Sequence, residues 1–299
     1  RFQSARLVGE TLMEFILTDR SLHGQHLFSK HAGIEAQETL SQKQNLEKVL
    51  RRAWESGVKQ ILCISNPLLT EVLTAHAREW PFEYSVMVPN FAQFVRDSSH
   101  YGTTGAAVRR VMKMPLLGKI KLAKVGALNA VGVLQSRFGM LMTLFLMAET
   151  GSFFSAKSSG GMKVKRVFMH PQVADLALSL GCAELFIKFE KMVRGEFGAE
   201  PGIVTRNFAA LAALLKNQSR PVKWVMAPFN PRGYAMNPDR ESCEKALASF
   251  SGNVIADYWN LAGTIPASES EPRLKTLGVR FASLEMSDFL DDKFKLPKI

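Results

Sequence analysis

Eight times along this chain a short run of β-branched and aromatic residues, closed by turn residues, gives way to another element. Most of these runs are followed by a stretch with helical spacing, and that alternation constrains the fold more than any other feature. The runs cover residues 12–18, 60–64, 84–88, 164–169, 185–189, 222–227, 253–257 and 279–284. They are mostly continuous rather than alternating, the pattern of strands covered on both faces in a parallel sheet.

Between them, residues 37–56 place Leu40, Leu46, Val49, Leu50 and Ala53 on one stripe and stop at Gly57. Asn66 is positioned to cap a helix over 67–79 with Pro67 in its first turn, and 207–215 and 242–250 repeat the design. The pattern predicts a (β/α)8, TIM-type barrel, and 299 residues suit one such domain spanning 1–299. An open doubly wound sheet competes with it. However, Thr18-Asp19-Arg20-Ser21 follows the first run where a nucleotide fold would place G-x-G-x-x-G, so no dinucleotide crevice is expected.

One interval breaks the rhythm, because 75 residues separate Val88 from Val164. A mostly helical insertion over 98–160, placed after the third strand, is the simplest account. Residues 98–148 hold no Asp or Glu but seven basic residues, from Arg109 to Arg137, out of a formal net charge of +11. Three uses suit such a segment: a lid over the barrel mouth, a peripheral contact with an anionic membrane surface, or a homo-oligomer contact. Nucleic acid is disfavoured, since no recognition motif appears and the basic residues are not interleaved with exposed aromatics.

Cys63, Cys182 and Cys243 are too scattered for a disulfide framework or a structural zinc site. The longest apolar run, 138–148, is about half of the roughly 20 residues that a spanning helix needs. No charged-then-apolar leader opens the sequence, and a cytoplasmic protein is the expectation.

In a barrel the C-terminal strand ends converge on one mouth, so polar residues just past each run become site candidates. Lys188 interrupts the run 185–189, where apolar neighbours would depress its pKa and leave a reactive amine; Glu190 would share its strand face. His170 follows the fourth run as a candidate acid or base, with Asp19 and Asp257 past the first and seventh. For substrate binding, Asn230 and Arg232 lie in a proline-fixed loop, Gly263 and Thr264 in a loop whose backbone could approach an anion, and Asn90 and Glu285 at strand ends.

These residues predict a barrel enzyme of lyase or aldolase type, using a desolvated Lys188 and no cofactor on a small anionic carbonyl compound. A second expectation is a metal-dependent hydrolase, with a divalent metal held by Asp19, His23, His170 and Asp257. A third is a non-catalytic barrel that binds a membrane surface or a protein partner through its basic insertion.

Overall fold

A computed structural model describes residues 13–64, 66–90, 95–102, 105, 112, 164–216, 218 and 221–296. Eight parallel strands close into a barrel in chain order: β1 (Glu14–Thr18), β2 (Gln60–Cys63), β3 (Glu83–Val88), β4 (Val164–Met169), β5 (Glu200–Val204), β6 (Trp224–Pro228), β7 (Asn253–Asp257) and β8 (Phe281–Glu285). The ring closes where β1 pairs with β8, Ile16 opposite Ser283 and Thr18 opposite Glu285. Outside it lie α1 (Lys30–Leu40), α2 (Lys43–Glu55), α3 (Pro67–Ala75), α4 (Pro171–Ser179), α5 (Ala183–Phe197), α6 (Phe208–Lys216), α7 (Arg240–Ala248) and α8 (Ala267–Thr276). The expected (β/α)8 architecture is present.

Seven of the eight expected strands fall within a few residues of their predicted positions; the fifth does not. Residues 185–189 belong to α5, where Leu185, Phe186, Phe189, Met192 and Val193 are buried at helical spacing and Gly198 ends the helix in the left-handed region at φ 60°. The true fifth strand carries Pro201 and Gly202, two residues that normally argue against a strand. Gly202 is required by packing rather than by conformation, since a Cβ there would stand 2.4 Å from the Phe168 ring of the adjacent strand. The single helix expected over 37–56 is two, α1 and α2, separated at Ser41 and Gln42.

Side-chain caps fix several helix starts. Ser29 accepts from Ala32 N at 3.1 Å, Asn66 from Leu69 N at 3.1 Å, and Asp239 from Ser242 N at 2.7 Å. Each start lies near the C-terminal end of the barrel, so the caps also fix where the mouth loops end. Inside the ring, Ile16, Leu62, Met87, Phe168, Met226, Ile255 and Phe281 form a solid plug, and a larger apolar layer joins the strands to the helices. The barrel is therefore a packed core whose polar chemistry is confined to its two ends.

Of the expected insertion 98–160, residues 98–102, 105 and 112 are described and helical; the rest lies outside the described residues, as does the lid, membrane or subunit contact expected of it. Among the described residues no helix is long and apolar enough to cross a membrane.

Candidate active site

The first strand ends in Thr18-Asp19-Arg20, and the chain then tightens into a 3-10 turn, Arg20–His23, closed by Gly24 at φ 74°. That turn lifts Arg20 over the C-terminal rim between β7 and β8. Its Nη1 and Nη2 donate to the two carboxylate oxygens of Asp257 at 2.7 and 2.8 Å, a fork-to-fork pair, while its Nε donates to Glu285 Oε1 at 2.5 Å. Burial alone would lower the guanidinium pKa. Asp257 and Glu285 reverse that and hold it well above the usual arginine range. Ser283 Oγ donates to Asp257 Oδ1 at 2.8 Å and Thr18 Oγ1 to Glu285 Oε1 at 2.8 Å, so both carboxylates are fixed from behind.

Beside this cluster lies a cavity of about 260 Å³, with Arg20, Arg206, Tyr258, Glu285 and Asp288 in its wall and His26 and Tyr234 at its edge. Asp288 belongs to the 3-10 turn that follows β8, where its carboxylate accepts from Glu285 N at 2.9 Å in a capping box. Burial, reinforced by the negative Glu285 alongside, raises its pKa to about 7. Burial raises Glu285 as well, against the pull of Arg20. Asp288 thus holds a proton near neutrality beside a second carboxyl whose pKa is also raised.

The loop after β7 is conformationally unusual. Tyr258, Leu261 and Ala262 all have left-handed backbones, at φ 51°, 45° and 52°. Each such residue costs on the order of 1 kcal/mol, and a run of them is tolerated where the surroundings fix the loop. At Tyr258 the result is that the ring lies 4.7 Å from the Arg20 guanidinium, closing one side of the cavity.

Other predicted residues stand around the same mouth. Asp19 is buried, accepts from Ile64 N at 2.9 Å and meets His23 Nε2 at 3.0 Å, ordering the β1–β2 rim. His170 is buried at the end of β4; desolvation, aided by the positive Arg206, lowers its pKa to about 4, so it is neutral at physiological pH. Asn90 is buried after β3. Asn230 ties its own loop, accepting from Tyr234 N and donating to Tyr234 O, both at 2.9 Å. Arg232, Gly263 and Thr264 are exposed outside the cavity wall, and Thr264 Oγ1 donates to Leu261 O within a closed turn.

Lys188 and Glu190 require correction. Both are on α5, on the outer layer of the barrel rather than on a strand. The Lys188 ammonium is half-exposed and paired with Glu184 at 3.0 Å one turn away, while Glu190, although buried, is paired with Arg194 at 2.5 Å. No desolvated amine faces the mouth at this position, and the lysine-based lyase or aldolase expectation is withdrawn. The metal-dependent hydrolase fares no better. Among the described residues no group of three metal-capable side chains converges; Asp19 and His23 pair with each other, and Asp257 is closed by Arg20.

The sequence reading missed Arg206, Tyr258 and Asp288. Arg206 follows the true β5, so the strand-end rule would have found it had that strand been placed correctly. Asp288 had a legible signal in the spacing Glu285-x-x-Asp288, a capping box, but nothing in the pattern announces its burial. Tyr258 immediately follows the predicted Asp257.

No protein-family model matches the chain, and no curated protein resembles it significantly. Among solved structures it resembles one described as a "Putative aldo-keto reductase from Pseudomona aeruginosa", with a TM-score of 0.51 and 12% identity over 94% of this chain and 87% of that one. A second, described as an aldo-keto reductase from a Medee basin deep-sea metagenome library, aligns at a TM-score of 0.41 and 10% identity over 97% and 87%. The first is not described as a lyase, an aldolase or a hydrolase, and it shares with this chain the fold of a barrel with eight parallel strands and outer helices.

Proposed function

We propose that the barrel mouth is the active site of an enzyme that moves a proton on a small, uncharged hydroxycarbonyl compound, with the Glu285–Asp288 pair as the proton-exchanging group. The observation that carries this reading is the placement of two neighbouring carboxyls, Asp288 and an Arg20-clamped Glu285, in the wall of a mouth cavity, where burial pushes Asp288 up to about 7. A group poised at neutrality can both take and return a proton, which suits enolisation next to a carbonyl.

Charge selects the substrate class. Arg20 is closed by two carboxylates, and Asp288 and Glu285 face the same space, so an anion gains little there. An uncharged molecule with several hydroxyls matches the polar wall and the aromatic edge of Tyr258 and Tyr234. The reductase description of the first fold neighbour makes a carbonyl compound the first class to test, with the proton beside the carbonyl passing to this pair and returning from it. Among the described lining residues the donors do not fit the pyrophosphate of a nicotinamide dinucleotide, which would meet Glu285 and Asp288 with Arg206 as the one lining arginine not paired to a carboxylate. The proposed chemistry is proton transfer alone.

The test is deuterium exchange. Small aldoses, ketoses and hydroxyketones are incubated with the protein in D2O, and label at the carbon beside the carbonyl is followed by NMR. Incorporation should depend on a group titrating near pH 7 and fall by about 10²-fold or more in Asp288→Asn and Glu285→Gln. Exchange no faster than in buffer for every compound, or equal in the variants, overturns the reading.

A further inference from the structure

At the opposite end of the barrel, the starts of β4 to β7 frame a second cavity of about 710 Å³. Lys165 and Arg166 reach it from β4, Arg194 from the last turn of α5 and Lys223 from just before β6; Glu200 is the one carboxylate among its described lining residues. Arg166 forms the floor. Only 4% exposed, it lies 3.9 Å from the centre of the Trp224 ring and donates from Nη1 to Gln60 Oε1 at 3.0 Å.

Its acidic neighbours do not saturate it. Glu83 and Glu200 form ion pairs at 3.6 Å, too long for hydrogen bonds, and among the described residues the buried Nε has no hydrogen-bond partner. Glu200 instead accepts from Trp224 Nε1 at 2.9 Å. Burial consequently leaves the Arg166 pKa below the usual arginine range despite both carboxylates. At the rim, Lys165 pairs with Glu83 and Arg194 with Glu190, both with half-exposed cations of a kind that exchange partners easily. Lys223 is exposed and has no ion pair among the described residues.

We propose that this basal cavity binds a compact, multiply charged oxyanion of the diphosphate or tricarboxylate kind, with the Arg166 fork at the floor and Lys165, Arg194 and Lys223 at the rim. An oxyanion supplies the hydrogen-bond acceptor that the Arg166 Nε lacks, and several charges are needed to outcompete Glu200 at that Nε and Glu83 and Glu190 for the rim cations. The five-residue strands put this site about 16 Å from the mouth, so the inference stands apart from the proton-transfer reading.

Calorimetric titration with inorganic pyrophosphate and with citrate, at low and high salt, tests it. At least one should bind saturably at 1:1, weaken with salt, and lose about tenfold in affinity in each of the rim variants Lys223→Gln and Arg194→Gln. Arg206→Gln at the mouth should change the affinity less than twofold. Pyrophosphate alone binding identifies a phosphate site, and citrate alone a carboxylate site. Absence of saturable binding by both anions in folded wild-type protein overturns the proposal. So does wild-type affinity in both rim variants, or loss of binding in Arg206→Gln.

Discussion

Each end of the barrel holds an arginine laid on an aromatic ring, the part-buried Arg20 on Tyr258 at the mouth and the buried Arg166 on Trp224 at the base, and the two are satisfied in opposite ways. Arg20 is forked onto Asp257 and bonded to Glu285, with Ser283 and Thr18 holding those carboxylates in turn. Arg166 has one good hydrogen bond, to the neutral Gln60, and two carboxylates at 3.6 Å. The saturated arginine is a scaffold that aims acidic groups at a cavity, whereas the unsaturated one leaves its cavity positive. The difference lies in where the carboxylates originate. Asp257 and Glu285 are the last residues of their strands, pulled inward at the rim, while Glu83 and Glu200 begin theirs and lean toward solvent.

The largest expected effect breaks that contrast directly. Arg20→Gln leaves Asp257 and Glu285 close together without a cation and should cost about 3–5 kcal/mol in denaturant unfolding. Arg166→Gln removes a charge that was poorly paired and should cost about 1–2 kcal/mol. Equal losses would mean that the two arginines are not differently satisfied.

The pH dependence sharpens the same comparison. Asp288 titrates at about 7 in the folded chain against 3.8 for its ordinary value, so between those pH values the folded state holds a proton that the unfolded chain has released. Its contribution to stability is fully present below about pH 4 and is lost as pH rises through 7, by on the order of 2 kcal/mol after allowing for solvent access at the cavity wall. Asp288→Asn keeps a cap acceptor for Glu285 N and should flatten that slope, as measured by unfolding from pH 5 to 8. His170 acts with the opposite sign: with a folded pKa of about 4 it disfavours the folded state as pH falls from 6.5 toward 4, and its imidazole should titrate in that range by NMR.

Much of this was legible in the sequence, and the rest was hidden for identifiable reasons. Continuous apolar runs and their spacing give the barrel because a parallel strand covered on both faces has little else to show. The rule that strand ends carry the site leads to Asp19, Asp257, Glu285 and His170, all of them at the mouth. It failed where a local pattern was ambiguous: Leu185-Phe186-Ile187-Lys188-Phe189 has a strand's composition and a helix's burial, and only Gly202 yielding to Phe168 explains why a segment with Pro and Gly is the strand instead. One misplaced strand displaced two residues at once, promoting Lys188 and concealing Arg206. Burial sets Asp288 near 7 and leaves Arg166 under-compensated, and burial has no local signature; although Glu285 is close to Asp288 in sequence, the Arg20 that clamps it and the Gln60 that holds Arg166 lie 265 and 106 residues from their partners along the chain.

Between the two ends, the interior plug should be the next most sensitive place. Gly202→Ala forces a methyl to 2.4 Å from the Phe168 ring, a collision in the middle of the barrel where neither strand can retreat. Overpacking of this kind should cost about 1–3 kcal/mol by thermal unfolding. Pairing it with Phe168→Leu should recover part of the loss by vacating the space. Failure to recover would place the strain in the β4–β5 backbone rather than in the ring.

The smallest effect is expected on the flank, at the residue once expected to do the chemistry. Lys188 is half-exposed on α5 and its partner Glu184 is more exposed still, so Lys188→Ala removes one i,i+4 surface pair worth about 0.3–0.5 kcal/mol. Alanine's helix propensity offsets much of that. Stability should therefore move by less than about 0.5 kcal/mol, and deuterium exchange at the mouth should not move at all, because an entire helix layer and the strand wall separate this ammonium from Asp288. A large loss of exchange in Lys188→Ala with unchanged stability would mean that the flank reaches the chemistry, and the division of the molecule into an acidic working end and a basic binding end would then have to be redrawn.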